Sequence, residues 1–525
     1  MSKTEKFIYQ LLVFIGSILT VCFGAWWFNL SHIPNNFTGI AHIADFIIFI
    51  LLTFVVWHQI IMEILQWAIA SHIKQYKSQL PEVGLRVAFI TTFVPGSESI
   101  KLLERTLPAM VGAQYKHDTW LLDEGNSSGA RLLCNKYGVK YFTRYGNSVY
   151  NTDTGKFKQK TKGGNHNAWY DNYGNMYDFV AQIDTDFIPK NNFLIKTLGY
   201  FRDKRVGFVG TPQIYGNTNE SFIARGAAEQ TYSFYGPILR GLFSMDTALL
   251  IGANHVIRVE ALKDIDFYKS HITEDLLTGM ELHARNWKSV YVPEALAIGE
   301  GPNTWASYFT QQTRWAYGCM DILFHHSFRL FKKMTFRRVI YYFFIQQHYF
   351  TGLAQVLGIL LLTLYFVFGI SPTSMHLWTL LILYVPLTLW EWVIALWLQR
   401  FNVRPREEKG ILLAGKIVSV AVWPIYFIAL LSVLTGRRLQ YKVTPKGKKG
   451  NDHTSLRLFL PQFIIGTVAS IDLCLSYYEH NNSGVMIFWA ALTVLVMYSL
   501  VAASILIPLF IKAYKSIGYY LNSRL

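Results

Sequence analysis

FVAQIDTDF, residues 179–187, is a short apolar run that stops abruptly at two carboxylates, Asp184 and Asp186. A run of this length bounded by polar residues suits a strand buried on both faces, the kind found in parallel sheets. Outward from it, LRVAFITT (85–92), TWLLD (119–123) and VGFVG (206–210) repeat the pattern, with amphipathic stretches between them. Alternation of such strands with helices predicts an α/β domain around a largely parallel sheet. Ligands of these sheets bind beyond the C-terminal strand ends. Acids stand at two such ends: Asp123 in DEGN, and Asp184 with Asp186 in DTDF.

The flanks are different. Of 525 residues, 52% are hydrophobic and 16% charged, more apolar than an ordinary soluble domain. The excess lies in runs that supply the ~20 residues a bilayer-spanning helix needs: 7–28, 44–64, 340–368, 377–398, 411–434, 458–477 and 485–511. The connections 29–40, 369–375 and 478–484 contain no Lys or Arg, whereas 400–409, 437–457 and the tail with Lys512 and Lys515 are basic. Basic connections stay inside. If 411–434 spanned the bilayer, two basic stretches would face opposite sides. That run also carries Lys416 and Trp423-Pro424, which interrupts helical hydrogen bonding. It is therefore expected to lie in the interface, leaving six spans, with both termini and the α/β domain in the cytoplasm.

The net charge of +16 suits anionic lipid and a polyanionic ligand such as a nucleotide diphosphate. Its Lys and Arg residues cluster beside membrane segments rather than along one face, which argues against nucleic acid. Cys22, Cys134, Cys319 and Cys474 are scattered, so neither a disulfide framework nor a cysteine zinc site is signalled.

Within the α/β region four strings carry chemistry. Asp184-x-Asp186 can hold a hard divalent cation whose other positions take diphosphate oxygens; a strand-end turn capped by aspartates gives the same string. Thr273-Glu274-Asp275 precedes a helical stretch, where acids are favoured by capping and the dipole in any case. As a general base, Asp275 would need hydrogen-bond reach of an acceptor hydroxyl. In QQTRW (311–315), Arg314 offers a fork for diphosphate oxygens and Trp315 a flat face for a sugar ring. An interfacial helix explains the Arg–Trp pair but not Gln311. KGGNHNA (162–168) places Lys162 on a glycine-bearing loop before a helix, a fitting phosphate contact.

Asp123, K-x-G-N-x-N, D-x-D, T-E-D and Q-x-x-R-W occur here in the order of the processive family-2 glycosyltransferases. The chain resembles bacterial cellulose synthase catalytic subunits and single-component β-glucan or capsule synthases such as the pneumococcal type 37 enzyme. YKVTPKG (441–447) looks like the gating loop of that family. The resemblance implies a GT-A (Rossmann-like) transferase domain inserted in a polytopic helical membrane domain of the plasma membrane. Two membrane helices would occupy 1–77, the transferase domain 78–318, an amphipathic interface helix 319–338, two spans 339–398, interface helix and gating loop 399–458, and two spans with a short tail 459–525.

The resemblance also implies roles. Asp123 would contact uridine, Lys162 the diphosphate, and Asp184 and Asp186 the donor and its Mg²⁺ or Mn²⁺. Asp275 would be the base, with Glu274 beside it. Gln311 and Arg314 would hold diphosphate, Trp315 the acceptor sugar, and Thr444 and Lys446 would close over UDP. The implied reaction is a single displacement with inversion that extends a polysaccharide, with UDP-glucose favoured as donor and no cyclic-di-GMP domain after the last span.

Two places depart from the family pattern. IGAN (251–254) stands where an F-C-G-S-like string faces the acceptor, which leaves Gly252 and Asn254 as acceptor-side candidates and the acceptor's identity open. VPGSES (94–99) lacks the usual Tyr-Asn-Glu order, so Glu98 is a weak donor candidate. Inside the spans, Trp390, Glu391 and Trp392 are expected either to line a glycan channel or to join helices by hydrogen bonds. Synthesis of hyaluronan or poly-N-acetylglucosamine, or transfer of one sugar to a lipid carrier, is the alternative activity. A transporter would call for internal repeats, and none is visible.

Overall fold

The computed structural model describes residues 1–437, 456–479 and 483–522. Ten strands form the α/β part: β1 Val87–Phe93, β2 Asp118–Asp123, β3 Lys140–Phe142, β4 Phe179–Asp184, β5 Ile188–Pro189, β6 Val206–Gly210, β7 Ile214–Tyr215, β8 Asn254–Arg258, β9 Lys288–Tyr291 and β10 Ala297–Gly299. Seven of them make the central sheet in the order β3-β2-β1-β4-β8-β6-β9, and β5, β10 and β7 make a smaller one. All central pairings are parallel except those of β8, which runs antiparallel to β4 and to β6. The sheet is thus mixed, as a largely parallel reading allows. β8 escapes a reading of the sequence because NHVIR begins with two polar residues and ends in a charge.

Both faces of the sheet are covered, which is why its strands read as unbroken apolar runs. Val87, Phe89 and Phe93 point into one layer and Ala88 and Ile90 into the other. The first layer is continuous with membrane-side helices, since Tyr426, Leu430 and Met497 belong to the same packed cluster.

Register places the chemistry. Phe93 of β1 pairs with Asp123 of β2, and Thr92 pairs with Asp184 of β4. Ile183 pairs with Asn254, the first residue of β8. Because β8 is antiparallel, its entry shares the edge at which β1, β2 and β4 finish. Gly252 and Ala253 are therefore delivered next to Asp184, whose N–H donates to the Ala253 carbonyl (2.9 Å).

Seven helical segments among the described residues are long and apolar enough to cross a membrane: Lys3–Trp27, Gly39–Ala70, Phe336–Phe368, Leu377–Phe401, Leu413–Leu434, Arg457–Tyr477 and Gly484–Ser504. Leu413–Leu434 stands apart: 56% of its apolar window is buried, against 17% to 33% in the other six. It is broken at Val422 into Leu413–Ala421 and Trp423–Leu434, with Pro424 in the first turn of the second piece. A proline there has no intrahelical N–H bond to forfeit.

Candidate active site

Asp123 is fully buried at the end of β2. It accepts the Gly125 N–H (2.9 Å) on Oδ1, and the Ser127 N–H (2.6 Å) and the Tyr141 hydroxyl (2.8 Å) on Oδ2. These bonds mould the turn after β2. The next residue, Glu124, receives Nε and Nη2 of Arg144 (2.9 and 2.6 Å). Arg144 is 1% exposed and also donates to the carbonyls of Tyr150, Phe157, Lys158 and Thr161. A buried guanidinium that gathers one carboxylate and four carbonyls fixes the loop leading to Lys162. Sequence patterns give no sign of it.

Thr161 caps the helix Lys162–Tyr173, its hydroxyl accepting the Gly164 N–H (3.1 Å). Gly164 must be glycine, because a Cβ there would lie 2.1 Å from the Lys158 carbonyl oxygen. Lys162 Nζ then reaches Asp184 Oδ1 (2.6 Å) and the Gly252 carbonyl (2.8 Å), with Glu274 Oε1 at 4.0 Å. Gln182 also donates to the Gly252 carbonyl (2.8 Å). On its other side the Gly252 N–H donates to Asp275 Oδ2 (2.9 Å), while Asp275 Oδ1 accepts the Leu276 N–H (2.8 Å). Asp184, Lys162, Gly252 and Asp275 are thereby linked through the backbone of one glycine. The residue before Gly252 is pinned as well, by His255 of β8. His255 Nδ1 donates to the Ile251 carbonyl (2.8 Å), and Nε2 accepts the Tyr268 hydroxyl (2.6 Å). Burial pushes His255 down to about 3, so it stays neutral.

Burial and then the charge of Asp275 push Glu274 up to about 7, with Lys162 opposing. Such an elevated carboxyl holds its proton near neutrality. Glu98 is held after β1: its Oε1 accepts the Thr185 hydroxyl (2.7 Å) and its Oε2 the Val94 N–H (2.8 Å).

One cavity of about 1040 Å³ takes in Lys162, Asp184, Asp186, Gly252, Glu274, Asp275, Gln311, Arg314 and Trp315. The last three come from the helix Trp305–Asp321, where Gln311 Nε2 donates to the Tyr215 hydroxyl (3.2 Å). The same cavity continues between the helices past Gln59, His348, Thr351, Gln355 and Tyr426, none of which the sequence assigns to a site. Gln312 joins its two halves, accepting the Tyr426 hydroxyl (3.0 Å).

Other expected residues lie elsewhere. Asp123 is off the cavity, and so is Asn254, which is buried and donates to the Pro212 carbonyl (2.8 Å). Trp390 and Glu391 line neither this cavity nor a smaller one of about 420 Å³; the Trp390 indole donates to the Leu12 carbonyl (2.8 Å). Trp392 lines the smaller cavity, with Lys416 Nζ 4.4 Å from its ring centroid. Thr444 and Lys446 lie outside the described residues. For a cation, Asp184 and Asp186 offer carboxylate oxygens on one wall, Asp186 only 4% exposed. Such hard donors fit Mg²⁺ or Mn²⁺, and Lys162 already occupies one Asp184 oxygen.

Residues 179–394 match the model of glycosyl transferase family group 2. The chain carries a family-2 glycosyltransferase domain. That domain is homologous to cellulose synthase catalytic subunits at modest identity. The UDP-forming cellulose synthase catalytic subunit of Dictyostelium discoideum is 29% identical over 209 residues, 39% of this chain and 18% of that protein. Its UDP-forming counterpart from Pseudomonas fluorescens is 25% identical over 289 residues, 54% of this chain and 37% of that protein. The chain thus spans well under half the length of these relatives. In fold it is similar to a mannosyltransferase of Pyrobaculum calidifontis solved with GDP-Man and Mn²⁺, at a TM-score of 0.50 and 11% identity, covering 74% of this chain and 100% of that one. The glycosyltransferase domain is therefore of the GT-A, Rossmann-like kind, joined to a domain of long apolar helices.

Proposed function

We propose that this chain is a processive, inverting glycosyltransferase. It polymerises a β-glucan or related polysaccharide from a UDP-sugar, UDP-glucose in first place, and passes the product through its own helices. The shared cavity carries this conclusion, because Lys162, Asp184 and Asp275 at one end and Gln59, His348 and Gln355 between the helices line one continuous space. A product that lengthens at the site would occupy that extension as it moves away. The names of the two relatives, both UDP-forming, support uridine as the donor's nucleotide.

Asp275 receives the proton of the acceptor hydroxyl; its carboxylate is aimed by the N–H groups of Gly252 and Leu276. The acceptor oxygen attacks the anomeric carbon, the bond to the diphosphate breaks, and configuration inverts. Lys162 and Arg314 bind the diphosphate oxygens, while Trp315 offers a ring face to the acceptor sugar. A hard divalent cation held by Asp184 and Asp186 would offset the charge gathering on the departing diphosphate. The helix Leu413–Ala421 lies along the cytoplasmic interface of the plasma membrane.

Purified full-length protein incubated with radiolabelled UDP-glucose and Mg²⁺ or Mn²⁺ is expected to release UDP and to build long chains. Asp275→Asn is expected to lower kcat about 10²–10⁴-fold, the range for a lost general base, with donor affinity within a few-fold of the parent. Products of one added sugar, or an Asp275→Asn protein as fast as the parent, would overturn the assignment.

A further inference from the structure

Two residues before Thr273, His271 Nε2–H donates to Oδ2 of Asp321 (2.8 Å), the last residue of the helix Trp305–Asp321. The other oxygen of Asp321 accepts from His325 Nδ1 (2.9 Å). The His326 ring meets that of His271 edge-on, with centroids 5.8 Å apart. Ligand atoms of His271, Asp321 and His326 all lie within 4.8 Å of one another. None of the three lines the donor cavity.

The backbone is built to bring them together. In an α-helix, residue i+5 is turned about 140° from residue i. Directly after Asp321 the chain instead takes a π-helical turn, Ile322–Ser327, which returns His326 to the face of Asp321. Such π turns recur at functional sites.

We propose that His271, Asp321 and His326 form a second cation site, for a transition metal of the Zn²⁺ class, separate from the hard-cation donors Asp184 and Asp186. Imidazole nitrogens with one carboxylate suit Zn²⁺ and not Mg²⁺. The metal takes the place of the proton now shared between His271 and Asp321. His271 then carries its proton on Nδ1, 3.1 Å from the Thr273 hydroxyl oxygen that can accept it. This bond replaces the one in which Nδ1 now accepts the Thr273 N–H (3.1 Å). A ligating histidine needs such a partner for its other nitrogen. His325 on Oδ1 aims the carboxylate. The side chains of His271 and Asp321 are 10% and 22% exposed, which leaves a path for the ion. Bound there, the metal ties the loop entering Glu274 and Asp275 to the helix of Gln311, Arg314 and Trp315, and this consequence alone rests on the proposed function.

The test is metal content, independent of turnover. Full-length protein in detergent is equilibrated with limiting Zn²⁺ under excess Mg²⁺, desalted, and assayed by mass spectrometry of the metal. The parent is expected to keep about one zinc per chain, Asp186→Asn to keep it too, and His326→Ala and Asp321→Asn to hold about tenfold less or lower still. Zinc is also expected to raise the melting temperature of the parent and not of His326→Asn, a milder change should His326→Ala fold poorly. No zinc on the parent, equal zinc on the parent and both His326 variants, or loss of zinc in Asp186→Asn alone would overturn the site. Loss of UDP release in Asp275→Asn bears only on the catalytic reading.

Discussion

At Gly252 a Cβ would lie 2.7 Å from Asp275 Oδ2 and 3.2 Å from its Cγ. No ordinary contact is that close, so alanine must push the carboxylate away from the position its two backbone donors define. Misplacing a reacting group by ~1 Å costs about 10²-fold. Gly252→Ala is therefore expected to lower kcat about 10- to 100-fold while donor KM stays within a few-fold, read from initial rates of UDP release. Glu274 next door supplies a pH test. Its carboxyl stands at about 7 in the folded chain against an ordinary 4.5, so the folded state binds the proton more tightly. Its contribution to stability is complete below about 4.5 and is lost as pH rises through about 7. Glu274→Gln bears no charge to bury. It is expected to melt above the parent at about pH 8.5 and with the parent at about pH 5, by thermal denaturation in one detergent. That most of these residues gather at one cavity was legible because acids at strand ends and Q-x-x-R-W stand out by type and order. Gly252 reads from the sequence as an acceptor contact, yet its backbone bonds are to Lys162, Gln182 and Asp275. Arg144 was invisible, since most of its partners are carbonyls that no side-chain pattern reports.

Among elements, the clearest coupling is the crossing of Phe222–Glu229 with Leu413–Ala421. A Cβ on Gly226 would meet Val418 Cγ1 at 2.6 Å and the Ala414 oxygen at 2.9 Å, and one on Gly415 would meet Glu229 Cβ at 2.7 Å. Glycines on both partners let the backbones touch, and the Gly415 N–H donates to Glu229 Oε2 (2.8 Å). Gly226→Leu must separate the helices. Overpacking of this kind costs about 1–3 kcal/mol, so a lower melting temperature is expected, while Ser419→Ala, on the edge of the same helix, should change little. The break at Val422 was legible through Trp423-Pro424, and the four strand runs were legible through burial on both faces. β8 was not. Its place is set by pairing with β4 and β6, a long-range event that a five-residue string does not encode. For Trp390, Glu391 and Trp392 the sequence left two roles open, a channel lining or a hydrogen bond between helices, for a related reason. Within an all-apolar span a polar residue marks itself, but packing alone decides which cavity it faces, and Trp390 bonds Leu12 instead.

On the scale of the whole molecule, the sheet and the long apolar helices share one packed core, and Asp184, Asp186 and Asp275 open into a cavity that those helices also line. Under the proposed function, a polymer made at Asp275 would leave along Trp315 and Tyr426 toward Gln355, on the helix Thr351–Phe368, all of which line that cavity. Filling that path should separate chemistry from extension. Gln355→Trp adds a bulky ring on a different element from those that carry Lys162, Asp184 and Asp275, so transfer to a short soluble acceptor is expected to proceed near the parental rate. Chain length should fall sharply, because each added sugar must move the product forward before the next can attack. Gel filtration of labelled product measures this, with Trp378→Ala on the exposed start of the helix Leu377–Leu398 as the comparison. Chains of parental length from Gln355→Trp would mean that the polymer leaves by another route, and would detach the cavity between the helices from synthesis while leaving the strand-edge chemistry intact.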